Sequence, residues 1–365
     1  MWFHRMLPLS VLLLVTFAPP YSAQLNWDIE TIDSDGMAGL RAAMALDSRG
    51  VPHVVYIEAS SRDLRYAAKT GSTWTKAPVG WHGDLRAGTT VVIMPGDVPA
   101  FASVGVFCVW TVNGWSTEPM GGYYPWSSTV ALDAAGNAFG ITQWSWGSGL
   151  YQGYVHYTER HDGQWSDAYL TDAPFLPTDP DGSIVMDPDG DPHISLTTSY
   201  GETLQYWHRT NGVWSSDLLM PGTWSSIALD EQGVPRISFY DTINKDLVLA
   251  QPSGGKWRFA GIDEPGDVGM HTSQAYRDGI SHISYYDSSL GDLKFAVCTS
   301  AGFSVTAVDT AGNVGAWTSL ALDPEGRPHV VYYDATNGNL KYAVGSPGVP
   351  TKNSNMGRLK HTYRK

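Results

Sequence analysis

A sixteen-residue phrase recurs along the chain and constrains the fold more than any other feature. Ser319-Leu-Ala-Leu-Asp323-Pro-Glu-Gly-Arg-Pro-His329-Val-Val-Tyr-Tyr-Asp334, followed by Leu340-Lys-Tyr-Ala343, parallels Ser226-Ile-Ala-Leu-Asp230-Glu-Gln-Gly-Val-Pro-Arg-Ile-Ser-Phe-Tyr-Asp241 and Leu247-Val-Leu-Ala250. The same phrase surrounds Asp47, Asp133 and Asp187, so the anchor aspartates lie 86, 54, 43 and 93 residues apart. The two long gaps hold degenerate copies, Val91 to Val104 and Ser273 to Asp287. An aromatic opens the last apolar run of each copy: Trp27, Trp74, Trp115, Trp165, Trp214, Trp257 and Phe303, at spacings of 41 to 50 residues. Self-similarity at this period is the mark of a repeat architecture, here with seven copies.

Each copy holds four short apolar runs separated by turn residues. Asp-x-x-Gly builds the first hairpin, because Asp caps a turn and Gly accepts positive φ. Four antiparallel strands per repeat describe a blade, and seven blades a β-propeller. The fold expected is therefore all-β. Composition agrees: 16% charged residues with 39 Gly and 15 Trp suits strands and tight turns, not long helices. The last copy ends at Val344 without its Trp strand, while Asn26-Trp27-Asp-Ile-Glu-Thr-Ile-Asp33 opens the chain unpaired. The N-terminal strand is expected to complete the final blade and close the ring, leaving no large sheet edge open.

Leu-Asp-x-x-Gly-x-Pro-His-x-x-Tyr repeats of this kind resemble those of secreted bacterial propeller proteins, in the broad company of sialidase-like Asp-box propellers. The resemblance covers residues 24 to 344 and implies the fold while leaving activity open, since one propeller scaffold hosts lectins, hydrolases, lyases and docking proteins. The Asp-box order Ser-x-Asp-x-Gly-x-Thr-Trp is absent, and no arginine cluster stands ready to clamp a sialic acid carboxylate; both argue against sialidase chemistry.

The ends read differently from the body. Residues 1–23 set His4 and Arg5 before an apolar stretch, Leu7 to Ala18, and then Ser22 and Ala23, the pattern of a secretory signal peptide. That stretch is too short to span a bilayer, and no other stretch reaches the length of a membrane helix. The expected location is extracellular or periplasmic. Residues 345–365 carry five bases and no acid and read as a disordered basic tail. Without these ends and their bases, 17 basic residues face 36 acidic ones, and a body of about −19 repels nucleic acid and anionic membranes.

Residues present in most copies serve the blade. His53, His193, His282 and His329 all open a second strand, so hydrogen bonding within or between blades is expected of them, and the Trp series is expected to pack between blades. Asp187-Pro-Asp-Gly-Asp191 lacks the glycine and glutamate placement of an EF-hand and reads as a decorated hairpin. No cofactor is expected, although so acidic a body leaves room for structural calcium. Cys108 and Cys298 fall in the second and sixth copies, too far apart for a disulfide, and are expected to be buried free thiols.

Function is sought where the copies differ. The loops from each outer strand to the next blade share one face with those joining second and third strands. They present Trp81, His82, Asp84 and Arg86; Tyr123, Tyr124 and Trp126; Trp144, Trp146 and Tyr151; and Trp224, His271 and Trp317. Aromatic rings on glycine-flanked loops suit the apolar faces of sugars, so an extracellular glycan or polysaccharide is the expected ligand. A polysaccharide lyase is the alternative, with His82 or His271 as base, Tyr124 as acid and Arg86 neutralising a uronate carboxylate. Glycoside hydrolysis needs two carboxylates, of which only Asp84 offers itself. A scaffold docking a surface protein needs none of these groups.

Overall fold

The computed structural model describes residues 25–83, 88–121, 127–146, 152–172, 182–198 and 203–347. Residues 1–24 and 348–365 lie outside them, as do Asp84, Arg86, Tyr123, Tyr124, Trp126 and Tyr151, whereas residues 345–347 of the basic end finish the strand Asn339–Pro347. The described residues form 28 strands in seven four-stranded antiparallel sheets and no helix. Blades 1 to 6 occupy residues 38–82, 89–119, 127–172, 182–218, 223–263 and 268–309, each running outward from an inner strand through a second and third to an outer one. Inner strands of successive blades pack side by side, and that of blade 7 meets that of blade 1.

Blade 7 takes three strands from Val314–Leu322, Pro328–Asp334 and Asn339–Pro347 and its outer strand from Leu25–Asp33. Leu25 pairs with Pro347 and Trp27 with Gly345, so the chain's first strand latches the ring. In five blades the hairpin joining the inner and second strands is held by its aspartate, Asp47, Asp133, Asp187, Asp230 or Asp323. Asp47 Oδ1 accepts the amides of Arg49 at 2.9 Å and Val51 at 2.8 Å, and Asp187 accepts those of Asp189 and Asp191 at 3.0 and 2.8 Å. The residue completing the Asp47 turn, Gly50, sits at φ 76°, where side-chain-bearing residues are strained.

The core lies between blades. In six of the seven interfaces an outer-strand Trp stands edge-on to a third-strand aromatic of the preceding blade: Trp27 on Phe295, Trp74 on Tyr342, Trp115 on Tyr66, Trp165 on Phe107, Trp214 on Tyr157 and Trp257 on Tyr206. Their centroids lie 5.0 to 5.4 Å apart. Beneath them, the repeated histidine of three blades reaches the tyrosine: His53 Nδ1 is 2.5 Å from Tyr66 Oη, His193 Nδ1 is 2.6 Å from Tyr206 Oη, and His329 Nδ1 is 2.5 Å from Tyr342 Oη. His329 Nε2 also lies 3.2 Å from Asp323 Oδ2. This Asp–His–Tyr chain resembles a proton relay, but its recurrence makes it blade architecture. Cys108 and Cys298 are buried and free, with burial pushing each thiol up to about 12.

At the axis, a serine of one inner strand accepts a backbone amide from the next blade. Ser183 takes Ile227, Ser226 takes Gln274, Ser273 takes Leu320 and Ser319 takes Met44, at 2.9 to 3.3 Å. The serine of the repeated phrase is thus explained by ring assembly. On the face where outer strands hand over to the next blade, Asp33, Asp263 and Asp309 each accept the hydroxyl of a tyrosine in the following blade, Tyr56, Tyr285 and Tyr332, at 2.6 to 2.7 Å.

Candidate functional site

On that same face the inner strands of blades 5, 6, 7 and 1 begin with one local device. Gly-x-Trp, Gly-x-His or Gly-x-Arg places its third residue at φ 50 to 54°: Trp224, His271, Trp317 and Arg41. The glycine is required by close approach. A Cβ on Gly269 would lie 2.7 Å from Leu247 Cα, and one on Gly315 would lie 2.7 Å from Leu293 Cα. Pairing with the second strand shifts register around each of these residues, and the irregularity turns the third side chain toward the axis.

The four side chains form a continuous arc. Trp224 meets His271 edge-on at 4.9 Å, His271 stacks on Trp317 at 5.4 Å, and the Arg41 guanidinium lies over Trp317 at 5.3 Å. A second layer of tyrosines backs them, with Tyr240 behind Trp224 at 5.4 Å and Tyr333 behind Trp317 at 5.6 Å. The arc borders an axial cavity of about 150 Å³ floored by the hydroxyls of Thr89, Ser225, Thr272 and Thr318. Below it the axis widens to a further cavity of about 240 Å³ between the inner strands.

The Trp317 amide donates to His271 Nδ1 at 3.1 Å, which leaves the proton of the neutral ring on Nε2. Burial, reinforced by the Arg41 charge, holds the His271 pKa down to about 3, so the ring is neutral in ordinary solution. Acid should therefore act here before it reaches the carboxylates. Below about pH 6.5 an unfolded His271 binds a proton that the native ring refuses, so stability present above that pH declines until about pH 3. Thermal midpoints measured from pH 7 to 4 should fall less steeply for His271→Phe than for the parent chain; equal slopes would refute the assignment.

Among the described candidates, the structure brings Trp224, His271 and Trp317 together. Trp81 and His82 lie on the same face but end the outer strand of blade 1, and neither lines the axial cavity. His82 is largely exposed and pairs with Asp63 at 2.9 Å. Trp144 and Trp146 fall in the second strand of blade 3. Arg41 was missed by sequence reasoning, although Gly39-Leu40-Arg41 has the spacing of the other three and supplied the signal. No group of three or more metal-binding side chains occurs among the described residues.

No family model and no curated protein matches the chain. Solved structures do. The polysaccharide lyase Uly1 is 9% identical, with a TM-score of 0.56 over 84% of this chain and 89% of its own. A lectin of Aleuria aurantia, solved with Fucα1-6GlcNAc, is 13% identical, with a TM-score of 0.52 over 75% of this chain and 96% of its own. The extracellular domain of BT4673 from B. thetaiotaomicron, described as a one-component system, is 13% identical, with a TM-score of 0.54 over 88% of this chain and 40% of its own. This chain is a seven-bladed β-propeller. Propellers similar to it in fold include a lyase, a lectin and an extracellular domain, and no helix among the described residues is long and apolar enough to cross a membrane.

Proposed function

We propose that this propeller binds an extracellular glycan by seating one sugar ring in its axial mouth. The observation that carries the reading is the unbroken arc of Trp224, His271, Trp317 and Arg41 around a cavity of about 150 Å³. A void of that volume accommodates a single six-membered ring. Indole faces suit the C–H surface of a pyranose, while the His271 Nε2–H and the threonine hydroxyls offer bonds to its oxygens. Export directed by residues 1–23 would put the protein where such ligands are met.

Binding is favoured over lyase chemistry because the histidine in the cavity is a weak base, held down to about 3, and among the described residues the only other titratable group lining the cavity is the permanently charged Arg41. The test is retention of the mature protein on immobilised neutral and uronate-containing polysaccharides, with absorbance of unsaturated products followed in parallel. Retention on at least one polysaccharide, lost about tenfold or more in Trp317→Ala with the thermal midpoint preserved, is the expected result. Unsaturated products would replace the reading with a lyase, and absence of retention with a protein-docking scaffold.

A further inference from the structure

One interface departs from the aromatic plug that closes the other six. Between blades 5 and 6, Leu249 stands where blade 7 has Tyr342, Arg236 where it has His329, and Phe303 where blade 1 has Trp74. A cavity of about 610 Å³ opens there, on the face opposite the aromatic mouth, lined by these three residues with Gln251, Arg258 and Tyr276. Protein interiors tolerate few voids larger than a water molecule, whereas this volume falls in the range of small-molecule sites.

Its walls combine an apolar body with an oriented cation. The Arg236 guanidinium stacks on Tyr276 at 4.7 Å, donates through Nη1 to Gln251 Oε1 and through Nη2 to Asp230 Oδ2 at 3.3 Å, and keeps a buried Nε–H with no acceptor. Arg258 has no ion-pair partner among the described residues, in a chain whose formal charge is −13. Asp230 offsets Arg236, and Glu231 is engaged at the rim by the Gly279 amide at 3.2 Å. Arg258 is therefore the cation left without a carboxylate partner, and one such guanidinium suits a carboxylate better than a phosphate dianion.

We infer that the crevice between blades 5 and 6 is a second ligand site, taking a small carboxylic acid with an aromatic or branched apolar body. The apolar part occupies the space that a Tyr–Trp pair fills at the blade 7 to blade 1 interface, and the carboxylate meets Arg258 with Arg236 behind it. This site is independent of the axial mouth.

The probe is 3-phenylpropionate, with 3-phenylpropanol as its neutral counterpart, measured by calorimetry and by shift of the thermal midpoint. The acid should bind at millimolar concentration and the alcohol about tenfold or more weakly. Arg258→Gln, at an exposed position, should weaken the acid by a similar factor. Leu249→Tyr combined with Phe303→Trp rebuilds the plug and should abolish binding while preserving the fold. Equal binding of acid and alcohol, binding that survives both sets of substitutions, or no binding to the parent protein would each overturn the inference.

Discussion

A chain lacking residues 25–33 is expected to lose its cooperative unfolding transition and to aggregate. That segment supplies the whole outer strand of blade 7, eight registered pairings with the strand Asn339–Pro347, the edge-on contact of Trp27 with Phe295, and the buried Ile32 and Asp33. Its removal bares a long, flat edge, the feature that most invites pairing between molecules. Trp27→Ala alone should cost about 3 kcal/mol, the low end for a large aromatic because Trp27 is only half-buried. Loss of the whole strand should then exceed much of the 5 to 15 kcal/mol typical of a folded domain. Denaturant unfolding with size-exclusion chromatography checks this, and a peptide of residues 25–33 added in trans should restore a monomeric species. A truncated chain that stays monomeric and unfolds in one transition near the parent midpoint would show that the ring does not depend on its latch.

Asp309→Ala should be among the most damaging single substitutions of a charged residue. Asp309 ends the outer strand of blade 6, is 6% exposed, and accepts the Tyr332 hydroxyl at 2.7 Å, the Lys341 ammonium and the Ala311 amide at 3.0 Å. Burial alone would raise its pKa, but the bonds from Lys341 and Tyr332 outweigh that and hold the carboxyl below the usual range. Deleting it strands a largely buried ammonium and a buried hydroxyl, a loss of about 3 to 5 kcal/mol for a broken buried pair. Asp309→Ala combined with Lys341→Met should recover part of that loss, which separates the cost of the orphaned cation from that of the cavity. The sign with pH follows: a depressed native carboxyl contributes fully above the unfolded value near 3.9 and ceases to contribute as pH falls through its native value. Below about pH 4 the parent should lose stability faster than Asp309→Ala. Parallel acid curves would mean that Asp309 is not held ionised by these partners.

The seven blades and the latch were legible because each rests on local chemistry repeated often enough to survive degeneracy. Asp-x-x-Gly marks a turn wherever it stands, and the Trp spacing counts outer strands even where the aspartate phrase has faded, as in blade 2. The mouth was half legible. Trp224, His271 and Trp317 stood out as rings on glycine-flanked loops, but proximity across three blades depends on the ring's closure and on a positive-φ device whose geometry no composition announces. Arg41 escaped because a search for aromatics passes over an arginine in the same slot. Trp81 and His82 had a similar glycine signal in Gly80, but they belong to an outer strand, and nothing local distinguishes the far end of a blade from its axial end. The crevice between blades 5 and 6 was written in the sequence as substitutions within the repeat, Leu249 for tyrosine and Phe303 for tryptophan; only the assembled interface turns two smaller side chains into a cavity.

The pairing of Leu25 with Pro347 has a practical corollary. The described ring begins and ends side by side, at the rim of blade 7 and on the side away from Trp224, His271 and Trp317. A fused domain or a solid support joined at Leu25 or Pro347 starts on the side away from the indole arc. The molecule can be tethered from its own seam without obstructing its mouth.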